Sequence, residues 1–130
     1  MTGVSTGNQL LEYWEETELT ANWGGPNKLM TQLEPIARLV QTRVQRGVNR
    51  DTFYVGGGSY DHHGSLKLNL KHHFGELDNA LTKFSDELKA QGLWDSVTLL
   101  ITSDFGRTLT PNGSEGTGKG RCARVCYIYA

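Results

Sequence analysis

Two short stretches concentrate the side chains able to do chemistry. The first is GGGSYDHHG at positions 56–64, a glycine-rich segment that carries Asp61, His62 and His63. The second is SDFGR at positions 103–107, which carries Asp104. A carboxylate and an imidazole two residues apart, as in Asp61 and His63, can ligate one divalent cation from one side, and Asp104 could add a further oxygen. Mixed nitrogen and oxygen ligation suits Zn²⁺ or Mn²⁺, whereas Mg²⁺ or Ca²⁺ would need carboxylates to dominate. The same residues admit a plainer reading, because an Asp-x-His spacing constrains geometry only loosely. In that reading Asp61 caps the helix that follows and His63 is a polar loop residue.

Other reactive side chains carry less. His72 and His73 adjoin Phe74 on a helical apolar stripe, so at most one can face a core, and a solvated helix face is the better reading. Gly113 to Gly118 has the GxxxxG spacing of a phosphate loop and Lys119 follows it. Gly120 stands where that loop needs Ser or Thr, however, and no helical pattern comes after, so the match is set aside. Cys122 and Cys126 lack both the CxxC spacing and a second pair, and read as incidental thiols.

The elements that must position these groups can be traced by period and punctuation. Leu10, Leu11, Trp14 and Leu19 among glutamates predict a short acidic helix over 9–19. The NWGGPN turn at 22–27 ends it. Leu29, Leu33, Ile36, Ala37, Val40 and Val44 predict a second helix within 28–46, which Pro35 either starts or kinks. Gly47 is its stop, with Arg43 and Arg46 near the negative helix end. TFYV at 52–55 predicts a buried strand opening into the 56–64 loop. Leu70, Phe74, Leu77, Leu81, Phe84 and Leu88 then form one helical stripe, closed by Gly92. VTLLIT at 97–102 predicts a strand buried on both faces. A glycine-rich loop at 110–120 and a weakly strand-like end at 121–130 complete the chain.

Strand, helix and strand in that order predict an α/β fold with a right-handed βαβ unit and a parallel strand pair. Ligands of open α/β sheets bind outside the carboxyl ends of the strands. Asp61 and His63 follow one predicted strand and Asp104 the other, so adjacent strands would bring the three together. Two strands are too few for a stable open sheet, and the pair needs neighbours.

Composition bounds the function classes. The chain has 130 residues, 37% hydrophobic and 21% charged, as expected of a globular domain rather than a disordered one. Its 13 basic and 14 acidic residues give a net charge of −1, leaving no basic excess for a nucleic-acid backbone. No apolar run reaches the roughly 18–20 residues of a membrane span. The N-terminal residues show no secretory signal pattern, and the compartment stays open.

The motifs also resemble those of a known family. FYVGGGSYDHHG at 53–64 resembles the pattern fyvslGGFDTHgnQ. LDNAL at 77–81 and FSDELKAQGLW at 84–94 resemble that family's long helix, and VTLLITSDFGRTLTPNG at 97–113 resembles VtvvtfSeFGRTlteNG. Gly116 and Thr117 begin what would be GTDHG. Over 28–117 the chain is thus similar to the domain of unknown function 1501 family, of the alkaline-phosphatase and sulfatase superfamily.

The resemblance implies a mostly parallel sheet flanked by helices, of which residues 1–117 are a partial domain and 118–130 an atypical tail. It implies that Asp61 and His63 are a metal-ligand pair, that Asp104 is a further acidic ligand, and that the substrate is a phosphate or sulfate ester. Phe105 stands where many superfamily members have a second ligand histidine, although Phe is normal for this family. Arg107 matches the family arginine, whose guanidinium either holds an oxyanion bidentately or pins the loop by a salt bridge. The chain also departs from the pattern. Gly118 and Lys119 replace the Asp and His of GTDHG, and the family's N-terminal half, with an acidic residue of the site and the superfamily nucleophile, has no counterpart. The expectation is an ancestral metal-dependent ester hydrolase with an incomplete site and no hydrolysis by the isolated chain. The alternative is a non-catalytic remnant or binding module.

Overall fold

A computed structural model describes residues 3–58, 60–119 and 127–129. Cys122 and Cys126 lie outside these, as does most of the expected tail. The chain is mixed helix and strand and divides into two compact units, one of residues 1–57 with 79–94 and one of residues 58–78 with 95–130.

The first unit contains α1 (Gly3–Glu16), α2 (Lys28–Gln41) and the second half of α3 (Leu66–Ala90). The helix α1 starts earlier than the sequence pattern predicts and leaves Leu10, Leu11 and Trp14 exposed. Asn27 starts α2, its Oδ1 accepting the Leu29 N–H at 2.9 Å, which satisfies one of the unpaired donors of a first turn. Pro35 lies inside α2 rather than in its first turn. Residues 42–47 continue as turns, so the helix is shorter than its apolar pattern. Gly47 and Gly92 both adopt left-handed φ values, +64° and +68°, and close their segments with paired bonds. Val48 and Gly47 donate back to Arg43 and Val44, and Leu93 and Gly92 to Leu88 and Lys89. Glycine suits that backbone at the least steric cost.

The core of this unit is Trp23, Leu29, Met30, Leu33, Ala37 and Val40 together with Ala80, Phe84 and Leu88 of α3. The predicted stripe of α3 is therefore buried at its C-terminal end, while Phe74 is 53% exposed. Beside Leu88 lies Glu87, only 1% exposed. Its carboxylate accepts the N–H groups of Thr20 at 3.2 Å and Ala21 at 2.8 Å, the Thr20 hydroxyl at 2.9 Å and the Gln91 amide at 2.9 Å. Burial pushes its pKa up, but these donors together outweigh burial and leave it below the usual carboxylate value.

The second unit contains the first half of α3, a 3₁₀ turn (Trp94–Ser96) that begins at its boundary, and four short strands. β1 (Leu99–Ile101) pairs antiparallel with β4 (Tyr127–Tyr129), and β2 (Arg107–Pro111) pairs antiparallel with β3 (Thr117–Lys119) across an irregular register.

Expectations about the strands, and then about the loop after them, are corrected here: β1 is not buried on both faces, since Leu100 is 58% exposed. The described strands pair antiparallel, so the expected parallel pair and βαβ unit are not formed among the described residues. Residues 52–55 form no paired strand, and Tyr54 is 93% exposed. The backbone of Gly56 is satisfied by a side chain of α2 instead, because the Gln32 amide donates to its carbonyl at 3.0 Å and accepts its N–H at 2.9 Å. The glycine-rich stretch at 110–120, in turn, is not simply a loop. Asn112 folds it into a hairpin, its Oδ1 accepting the N–H groups of Ser114 and Gly116, each at 2.9 Å.

Candidate functional site

The site forms where the 60–64 loop meets the β2–β3 hairpin, within the second unit. Two sets of bonds lock them. The Asn112 amide donates to the His63 carbonyl at 2.9 Å. The N–H of Ser65, just before α3, and that of Leu66, its first residue, donate to the carbonyls of Ser114 and Glu115 at 3.2 and 3.0 Å. These two carbonyls satisfy donors that a helix start leaves unpaired. Gly116 is buried against the His63 carbonyl so closely that a Cβ there would overlap it. A glycine at 116 is thus required by the approach of one backbone to another.

On this frame Asp61 becomes the hub of a charge cluster. Its Oδ1 lies 3.1 Å from His63 Nε2 and is ion-paired with the Arg107 guanidinium, and its Oδ2 lies 3.5 Å from Lys119 Nζ. Arg107 also donates to the Thr117 carbonyl across the hairpin. Phe105 supplies a ring face to both cations, with Lys119 Nζ at 4.8 Å and the Arg107 guanidinium carbon at 5.9 Å from its centroid. Asp61 does not cap α3, whose first donors go to Ser114 and Glu115. For Arg107 the observed contacts are those of a residue pinning its loop.

Of the sequence-predicted site residues, Asp61, His63 and Arg107 are brought together. Asp104 is exposed in the bend after β1 and, among the described residues, joins no group of three metal-ligating side chains. The donor pair of Asp61 and His63 has a separation that suits two ligands of one ion. Its carboxylate is already neutralised by two cations, so the residues as arranged fit one side of a metal site and not a whole one.

Three contributors escaped the sequence reading. Lys119 reads in the sequence as a phosphate-loop lysine and as a departure from GTDHG, but not as a partner of Asp61. Asn112 and Gly116 organise the hairpin. The Asn-Gly dipeptide at 112–113 was the available signal for a turn there.

A second cluster lies on the first half of α3. His73 stacks on His62 with ring centroids 5.1 Å apart and planes 8° apart, and Tyr60 packs against His73 at 5.3 Å and Phe74 at 5.8 Å. Burial raises the Tyr60 pKa above its ordinary value, and the negative charge of Glu76 raises it further.

A family model described as "Protein of unknown function (DUF1501)" matches residues 10–127, and the chain belongs to that family. No curated protein and no solved structure matches it. No helix among the described residues is long and apolar enough to cross a membrane.

Proposed function

We propose that this chain descends from alkaline-phosphatase-like, metal-dependent hydrolases of phosphate or sulfate esters, and that its site no longer supports turnover. The supporting observation is the convergence of the Asp61–His63 pair from one motif and Arg107 from another onto one cluster. In this reading Asp61 and His63 would hold a divalent ion, Zn²⁺ or Mn²⁺, and Asp104 would complete the set by rearrangement of its exposed bend. The ion would supply Lewis acidity toward a phosphoryl or sulfuryl oxygen. Arg107 and Lys119, freed from Asp61, would hold the oxyanion. The mostly parallel sheet of that superfamily belongs to the same proposal. It would require residues 52–55 and β1 to pair with strands other than those described.

A second reading, a non-catalytic module that binds anionic groups, is favoured by Lys119. Its ammonium stands where the family motif has a histidine and lies 3.5 Å from Asp61, replacing a ligand with a competing charge. The double substitution Gly118→Asp with Lys119→His separates the readings. If the site is a degraded metal centre, the double variant binds Zn²⁺ or Mn²⁺ at least tenfold more tightly than the parent in calorimetry. Neither protein need hydrolyse an aryl phosphate or sulfate for that result. Unchanged metal affinity, with phosphate binding that Lys119→Met abolishes, would establish the anion-binding module instead.

A further inference from the structure

We propose that His72, His73 and Glu76 form a separate transition-metal site on α3, with Zn²⁺ as its occupant. The three lie at i, i+1 and i+4 of one helix, and their ligand atoms are all within 4.8 Å of one another. Both imidazoles already aim a nitrogen at the same Glu76 oxygen. His72 Nε2 is 3.6 Å and His73 Nδ1 3.3 Å from Glu76 Oε2. Ligands of a tetrahedral ion with bonds of about 2.1 Å are separated by about 3.4 Å, so two of the three edges are near their bound length. The third edge closes by small side-chain rotations, because the helix backbone already fixes where each side chain begins.

The surroundings favour ion binding over a chance cluster of exposed groups. His73 is only 23% exposed, and its ring is held by the parallel ring of His62 on one side and by Tyr60. Packing of this kind limits the rotation of the His73 imidazole before any ion is bound. His72 is 70% exposed, which leaves an approach for the ion and for a water completing its shell. Two imidazoles with one carboxylate disfavour Mg²⁺ and Ca²⁺, which take oxygen ligands, and the absence of thiolate from the set disfavours softer ions.

The site is independent of the Asp61–His63 reading, and its test is built to keep the two apart. The full chain carrying Asp61→Asn and His63→Ala is titrated with Co²⁺, followed by its visible absorption, and then with Zn²⁺ in competition. One equivalent is expected to bind. His72→Ala and Glu76→Gln, added singly to that background, are each expected to weaken binding at least tenfold. Imidazole ¹⁵N shifts of His72 and His73 should move together on Zn²⁺ addition. Binding that survives both substitutions unchanged overturns the proposal, as does no stoichiometric binding by the Asp61→Asn, His63→Ala protein with its circular dichroism intact.

Discussion

The Glu87 carboxylate accepts the backbone N–H of Ala21 at 2.8 Å, and through this bond and two from Thr20 α3 holds the segment that leads into α2. Removing the charge strands buried donors on both sides of the contact. Glu87→Gln replaces an oxygen acceptor by a donor facing other donors. It is expected to cost about 2–3 kcal/mol of stability, read from the urea midpoint at unchanged slope.

The same contact has a pH signature. Its donors hold the folded Glu87 pKa below the unfolded value, which is about 4.3. The carboxylate therefore stabilises the fold above the unfolded pKa, and this contribution is lost as pH falls through the folded one. The difference in Tm between the parent and Glu87→Gln should be widest near neutrality and should narrow below about pH 4. A difference constant across that range would refute the linkage.

Gly116→Ala tests the backbone approach at the hairpin. The added methyl would overlap the His63 carbonyl, so the hairpin must move away from the 60–64 loop. A loss of about 1–3 kcal/mol is expected, together with amide shifts at His63 and Gly64 in a two-dimensional NMR spectrum.

Arg107 bridges Asp61 and the Thr117 carbonyl with one guanidinium nitrogen on each, a spacing that the single nitrogen of an ammonium does not reproduce. Arg107→Lys keeps the charge yet should still lose about 1–2 kcal/mol, most of the loss caused by Arg107→Met. Full recovery by lysine in thermal denaturation would show that charge alone matters.

Tyr60 offers a fifth measurement. Glu76→Gln should lower its phenol pKa toward 10 without reaching it, since burial is the larger cause. The shift can be followed by NMR of the Tyr60 ring across alkaline pH.

The sequence made the long α3 helix and its glycine stop legible because a stripe at spacings of three and four is a local, redundant signal. It also pointed to Asp61, His63 and Arg107, whose motifs lie beside turns. Strand pairing was less legible, since residues 52–55 have the right composition but pairing depends on what lies alongside. Glu87 was invisible for a related reason: a glutamate near a helical stripe reads as solvent-facing until the Thr20 and Ala21 N–H groups are seen to meet it. Asp104 followed from its motif, yet its exposed bend leaves it outside the observed cluster.

The Ser65 and Leu66 N–H groups, bonded to Ser114 and Glu115, have a kinetic consequence. A helix usually nucleates from near neighbours, but here the opening turn waits for acceptors far along the chain. The C-terminal turns of α3 can form early, whereas its first turn settles only once the hairpin has closed. In pulse-labelling hydrogen exchange those two amides should gain protection in step with Asn112 and Gly116, and after the rest of the helix.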